Sequence, residues 1–525
     1  MVIHSPFPDI EIPEVPFTDF VLAHAAELGD KPALIDAASG RTITYAQLVD
    51  SVRAVAAGLH ERGFRKGEVF AHYAPNLPEY AVAFHAVATV GGINTTANPQ
   101  LTVEELSSQL KASGARLLVT VPELLENATT AARQAGVEEI FVYGEANRAT
   151  PFASLMQADG EPPDVAIDPA NDLVMLPYSS GTTGLPKGVM VTHRNLVANI
   201  CQNTFERRRE DCAGDRVIAA LPFFHIYGAV WLMNIPIERG ATVVTMPRFD
   251  LAEFLHVIQD YRITHALVVP PIVLALVKHP LVDEFDVSSL DTIGCGAAPL
   301  PAELELACSQ RLGCRIAQGY GLTETSCNTH RVTNDLAGQM PGEVGPPVPN
   351  TECRIVDVAT GEDSVAGEPG ELLIRGPQVM KGYLNNPQAT ALTIDPDGWL
   401  HTGDIARIEV NGALRIVDRI KELIKYKGYQ IAPAELEALL LTHRAITDAA
   451  VIALPDEEAG EIPKAFVVTN GSITPEEVSQ FVADHVAPYK KVRAVEIIGE
   501  IPKAPSGKIL RRVLIERERT AAMAG

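Results

Sequence analysis

Short apolar runs alternate with longer stretches in which apolar residues return every three or four positions, up to about residue 318. The runs over 31–35, 69–73 and 117–120 predict strands, and the stretch opening at Thr44 predicts an amphipathic helix to about residue 62. Thr102 and Glu105 have capping-box spacing, so a helix starts there and runs toward Lys111. Further strands are predicted over 173–176, 216–221, 241–246, 266–269, 292–295 and 315–318, with helices over 249–261, 272–278 and 301–311. This alternation implies crossover units and parallel sheet. From about Gly342 short alternating strands and Gly-rich turns predict antiparallel sheet instead. After Arg419 the chain restarts as a compact α+β unit: a helix over 434–441, strands over 449–453, 464–468 and 494–498, and a helix capped by Thr474 and Glu477. The expected division is therefore 1–418 and 419–525, an α/β fold with a smaller α+β C-terminal domain. A length of 525 residues also requires more than one core.

Composition narrows the class. The chain is 46% hydrophobic and 21% charged, as ordinary globular proteins are. A formal net charge of −23 argues against nucleic acid or an anionic membrane as the main partner. The seven cysteines are scattered and without metal-type pairs, which suits reduced thiols. Asp9, Glu11, Glu14 and Asp19 leave no basic or apolar leader at the N-terminus. The apolar stretch 219–237 contains Pro222, His225, Asn234 and Pro236, and reads as buried strand and loop, not as a membrane span. A cytoplasmic enzyme is the expectation.

Two loops carry the chemistry. Ser179, Ser180, Gly181, Thr182, Thr183, Gly184 and Lys187 follow a strand and precede the helix approach at Thr192, so they read as a strand-to-helix loop. Glycines let the backbone come close, hydroxyls donate, and the lysine adds a point charge, all suited to a polyphosphate. Lys187 lies between Pro186 and Gly188, so this is not the usual P-loop, which needs Gly-Lys followed by Ser or Thr. Gly319-Tyr320-Gly321-Leu322-Thr323-Glu324 ends a predicted strand, and Glu324 is a candidate ligand for a hard cation accompanying phosphates. Asp404 follows a tight Gly, where an acidic residue suits a sugar diol or simply caps a solvated turn. The 418–428 run is dense in charge, and His225 stands alone in an apolar segment, as a core histidine also would.

The first loop closely resembles the phosphate-binding signature of the adenylate-forming acyl-CoA synthetase superfamily, and the second matches that family in the right chain order. The matches extend from about Lys31 to Lys508 and most resemble 4-coumarate–CoA ligases and their bacterial relatives. The resemblance implies a large N-terminal part, made of two α/β subdomains and a β-barrel, plus a mobile C-terminal domain. It implies adenylation of an acid by ATP with Mg²⁺, then transfer of the acyl group to CoA. By resemblance Lys508 is the catalytic lysine, Lys421 the hinge, and Thr323 a phosphate contact. Gln318, Gly319, Tyr320, Asp404, Arg419, Lys425 and Gln430 would meet the nucleotide. His225, Ile226, Tyr227, Trp231, Gly294, Ala297, Gly319, Cys327, Asn328 and Arg331 would line the acid pocket. Arg248, Lys427 and Gly428 would meet CoA, and Glu324 would hold Mg²⁺.

The pocket departs from the plant pattern. Trp231 replaces a small residue, Gly294 a bulkier one, Cys327, Asn328 and Thr329 an apolar trio, and Arg331 another apolar residue. The expected reaction is acyl-CoA formation on a cinnamate-like acid, with a fatty acid or a carrier-protein thiol as alternatives. A non-catalytic nucleotide-binding regulator is disfavoured by the joint presence of Lys187, Glu324, Asp404 and Lys508. The expected partners are the small-molecule acid, ATP and CoA.

Overall fold

The computed structural model describes residues 2–158, 160–179, 186–365, 367–427, 429–456, 459–504 and 507–524, without the side chains of Gln430 and residues 521–524. Two α/β sheets form the large part. In one, Val69–Tyr73 lies between Ile93–Thr96 and Ala115–Thr120, all parallel. Every residue of Val69–Tyr73 is buried, as expected of a strand covered by helices on both faces. In the other sheet Pro32–Asp36, Thr242–Thr245, Arg216–Ala219, His265–Val268, Thr292–Cys295 and Arg315–Leu322 run parallel in that spatial order. One continuous apolar core serves both sheets. The helices begin where side chains can satisfy their first amides. Reciprocal capping boxes stand at Thr44 with Gln47, Thr102 with Glu105 and Thr474 with Glu477.

A five-stranded antiparallel sheet follows, a half-barrel made of Ile3–His4, Glu352–Val356, Gly370–Arg375, Leu400–Ile408 and Leu414–Arg419, with its own small core. The smaller C-terminal part is a second five-stranded sheet. Its long hairpin, Ile446–Asp456 with Gly460–Thr469, is flanked by helices and packs over separate cores. Among the described residues no helix is long and apolar enough to cross a membrane.

Two sequence expectations change. The loop at 180–185 joins two strands, not a strand and a helix: Tyr178–Ser179 pairs antiparallel with Lys187–Thr192. Val189 and Val191 bury one face of that second strand, and the helix begins only at His193. The apolar stretch after Ala219 is largely helical, with a π-helical segment Gly228–Asn234 running into Ile235–Glu238. Pro236 fits there because the first helical positions need no intrahelical amide partner.

Candidate active site

The Arg315–Leu322 strand builds the centre. It keeps its parallel partner as far as Gln318 opposite Cys295, then turns to pair antiparallel with Cys327–Arg331. Glycine is required at this turn. A Cβ on Gly321 would lie 1.8 Å from the Cys327 carbonyl oxygen, and one on Gly319 2.7 Å from the Asn328 amide nitrogen. The backbone is strained close by, with φ of 53° at Ser326, 117° at Cys327 and 68° at Ala297, values that non-glycine residues adopt at a cost.

One polar group forms where this loop meets the half-barrel. Asp404 and Arg419 face each other in register on neighbouring strands, and Arg419 Nε lies 3.0 Å from Asp404 Oδ1. The Tyr320 hydroxyl donates to Asp404 Oδ2 at 2.6 Å. Asp404 is 2% exposed; burial raises its pKa, while Arg419 and the Tyr320 bond oppose that rise. A carboxylate held this way still has lone pairs for a diol.

A second group lies at the phosphate-loop side. Glu324 Oε1 accepts from the Ser179 hydroxyl and from the Tyr383 hydroxyl, each at 2.8 Å. A carboxylate engaged through one oxygen can offer the other as a hard-oxygen donor. Among the described residues no three acidic, His or Cys side chains gather into a metal cage. A lone carboxylate therefore fits a cation that arrives with phosphate oxygens and water as its other ligands. The Lys187 ammonium lies 4.9 Å above the Tyr383 ring. Its charge, after desolvation, depresses the Lys421 pKa, which brings the expected hinge to the same edge. Ser180, Gly181, Thr182, Thr183 and Gly184 lie outside the described residues.

The C-terminal part closes over these groups. Burial depresses the Lys508 pKa and Arg419 adds to the effect, while Glu422 and Asp404 oppose it. His225 also feels Lys508; burial first, then that charge, brings its pKa down to about 4, so the imidazole is neutral. The Tyr227 amide donates to His225 Nδ1 at 3.2 Å, which leaves the ring proton on Nε2 as a free-standing donor. The Lys508 loop touches the large part at Gly507, where a Cβ would lie 2.9 Å from Val269 Cγ2 and 3.3 Å from Pro271 Cδ.

A cavity of about 160 Å³ runs inward from this centre. Gly319, Gly296 and Tyr227 line it, together with Trp231, Gly294, Asn328 and Arg331. The π-helical segment carries Trp231 onto the wall. Arg331 lies 5.6 Å over the indole and pairs with Glu206 at 2.6 Å, both largely buried. Glu206, Arg207, Asp215 and His265 also line the cavity. They come from segments with no local motif, so the sequence pattern did not reveal them. Tyr383 was missed for the same reason.

Other expected residues take different positions. Ile226 is 3% exposed within the main core, and Cys327 is likewise buried. Ala297 is exposed and belongs to the strained loop beside Gly296. The Gln318 amide is committed to Glu305 at 2.6 Å and to Leu300 at 3.1 Å, so it braces the loop. Thr323 begins the short helical turn Thr323–Thr325 that carries Glu324. Arg248 is exposed just beyond the Thr242–Thr245 strand. Lys425 pairs in register with Gln430 on the first hairpin of the small sheet and is exposed. Lys427 at its turn has φ 47°, and Gly428 lies outside the described residues.

Residues 21–384 match the family model of the AMP-binding enzyme, and residues 435–508 that of the AMP-binding enzyme C-terminal domain. The chain is 44% identical to 4-coumarate–CoA ligase 2 of Petroselinum crispum, across 98% of this chain and 96% of that one. It is 44% identical to 4-coumarate–CoA ligase 5 of Oryza sativa subsp. japonica, with the same coverage of 98% and 96%. A solved anthranilate CoA ligase in complex with anthranoyl-AMP superposes with a TM-score of 0.89 at 25% identity, covering 98% of this chain and 99% of that one. A benzoate CoA ligase from Burkholderia xenovorans LB400 gives 0.85 at 26% identity, covering 95% and 99%. With family matches on both parts and relatives aligned over nearly its whole length, the chain belongs to the AMP-binding enzyme family.

Proposed function

We propose that this protein is an ATP-dependent, AMP-forming acid–CoA ligase acting on an aryl acid of the cinnamate class. The observation that carries the reading is the polar group at Asp404, with Arg419 at 3.0 Å and the Tyr320 hydroxyl at 2.6 Å, on the turn whose Gly319 lines the cavity and within the influence of Lys508 from the small part. The names of the two plant relatives, both 4-coumarate–CoA ligases, support the aryl acid and CoA. In the first step an oxygen of the substrate carboxylate bonds to the α-phosphorus of ATP, and the bond to pyrophosphate breaks. Two anions must approach each other, and the Lys508 ammonium offsets their repulsion as the new bond forms. Asp404 and Arg419 hold the ribose, and Tyr320 holds Asp404 in place. His225, neutral with its proton on Nε2, donates to an oxygen of the acid without adding a competing charge. Lys187 and Glu324 serve the phosphate end. Glu324 would hold a Mg²⁺ ion accompanying the nucleotide, and such an ion would supply positive charge at the phosphate end.

In the second step the CoA sulfur bonds to the acyl carbon and the bond to AMP breaks. We assign the turn between the two parts to residues 419–421 with Lys421 as pivot, and Arg248 and Lys427 to the CoA phosphates. The test is pyrophosphate release over cinnamic, benzoic and fatty acids, with and without CoA. Release with cinnamates, and thioester only when CoA is added, is expected. Preference for fatty acids would overturn the acid class, and acyl-AMP that persists unchanged when CoA is added would overturn the acceptor.

A further inference from the structure

Lys508 has to be delivered to the site by a loop, and the next structured element is the Arg511–Ala524 helix. Its first side chain, Arg511, uses all three guanidinium nitrogens. Nε donates to the Val451 carbonyl at 3.1 Å, and one terminal nitrogen holds both Glu437 oxygens at 2.8 Å. The other terminal nitrogen donates to Glu422. The side chain is only 14% exposed. These partners come from three separate elements. Glu437 belongs to the Pro433–Thr442 helix, and Val451 to the Ile446–Asp456 strand. Glu422 lies in the turn that follows Arg419, where its own amide donates to the Arg419 carbonyl at 2.9 Å.

Glu437 is itself tied back, accepting from the Val451 amide at 2.7 Å. The loop between Pro502 and Arg511 is a narrow one: Leu510 N bonds to Pro502 O and Ala504 N to Lys508 O, each at 2.8 Å. One end of that loop is therefore fixed by Arg511, three residues from Lys508. The other end of the same guanidinium reaches the turn about which the small part would rotate.

We propose that Arg511 is a positioning residue for adenylation: it couples the turn at Glu422 to the Lys508 loop, so that closure sets the ammonium at the site. This rests on the ligase reading above, in which Lys508 acts in the first step only. A planar guanidinium that reaches three partners from three fixed nitrogens holds an orientation that a single ammonium nitrogen does not. Arg511→Lys keeps the charge among the carboxylates but loses that three-way hold. Glu422→Gln replaces the carboxylate at the turn with a neutral amide, which weakens that link and leaves the Glu437 contacts whole.

Both half-reactions should be measured: pyrophosphate release from acid and ATP, and thioester formation from supplied acyl-AMP and CoA. Arg511→Lys is expected to slow the first about 10- to 100-fold, the scale of a misplaced catalytic group, and to leave the second within about twofold. Glu422→Gln should slow the same half-reaction, by less. Equal losses in both half-reactions with a lowered melting temperature would make Arg511 a purely structural residue, and unchanged adenylation in both variants would also overturn the proposal. Lys508→Ala is the control for the underlying reading. If it spares adenylation, the role of Lys508 fails; if it abolishes adenylation while Arg511→Lys does nothing, only the present proposal fails.

Discussion

On the ligase reading, Trp231 sets how much acid the cavity can hold. The ring is half-buried on the wall of a cavity of about 160 Å³, with Gly294 also on the lining. A Cβ at Gly294 would meet Leu267 Cγ at 3.3 Å, so that wall is already close-packed behind the glycine and the indole is the larger adjustable element. Trp231→Ala removes the whole indole. An acid that can now seat one more methylene or ring substituent gains about 1–3 kcal/mol, about 10- to 200-fold in discrimination. A tryptophan fully enclosed in a core would cost about 3–5 kcal/mol of stability on truncation. Here one face borders the cavity, so the loss should fall below that range and include about 0.5–2 kcal/mol from the Arg331 contact. Trp231→Phe is the companion variant: the Trp231 Nε1 hydrogen is buried without a partner, so no hydrogen bond is lost. The assay is the ratio of kcat/KM for a bulky ring-substituted cinnamate over cinnamate, with the melting temperature of each variant. The ratio should rise most for Trp231→Ala and less for Trp231→Phe, which frees a smaller volume. A lowered melting temperature with an unchanged ratio would refute the argument and make Trp231 an ordinary packing residue.

Gly507→Ala combines a φ of 77°, which costs a side chain about 1–2 kcal/mol, with a Cβ 2.9 Å from Val269. It should slow pyrophosphate release at least about tenfold yet spare conversion of supplied acyl-AMP, and equal losses would count against a closure contact. Burial lowers the Lys508 pKa, so adenylation kcat/KM, which reports the free enzyme, should fall with rising pH before the ordinary lysine range is reached. Lys508→Arg should push that alkaline limb out of range while keeping measurable activity, and a limb that stays in place belongs to another group. Tyr320→Phe removes the 2.6 Å bond to Asp404. A hydrogen bond to a charged group is worth about 1.5–3 kcal/mol, so KM for ATP should rise about 10- to 100-fold with kcat less affected; an unchanged KM would separate Asp404 from nucleotide binding.

Much of the architecture was legible because buried parallel strands are written as continuous apolar runs. Residues 69–73 and 292–295 were read at the limits the structure gives. The Thr102 and Thr474 caps were equally plain, since a capping box is a purely local device. Reading failed where pairing is not local. Lys187–Thr192 is a strand because Tyr178–Ser179, Leu173–Met175 and Gly382–Tyr383 all pair with it, and none of these is visible in its own sequence. The π-helical turn at Gly228–Asn234 was hidden by the Pro and Asn residues that usually mark loops. The site shows the same division. Tyr320, Glu324, Asp404 and Arg419 stand in short motifs, whereas Tyr383, which donates to Glu324, and the Glu206 that pairs with Arg331 are brought in by the fold.

The electrostatics of the closed arrangement explain why two separately cored parts can cooperate without being fused. The contacts between them are both polar and apolar: Lys278 donates to the Ile446 carbonyl at 2.9 Å, Gly507 rests on Val269 and Pro271, and Ile405 packs with Leu423 and Ala432. Closure also concentrates like charges. Lys421 comes within the influence of Lys187, and Lys508 within that of Arg419. Each of these ammoniums has its pKa lowered as a result of burial and that repulsion, which means its charged form is destabilised in this arrangement. An anion placed among them reverses the sign of the interaction, because the same groups that repel each other attract a polyphosphate. A ligand shifts a conformational equilibrium only by its differential affinity for the two states, and here that difference is built from cations supplied by both parts. On the proposed ligase reading, closure is therefore tied to the nucleotide, and the small part can leave once charge has departed with pyrophosphate.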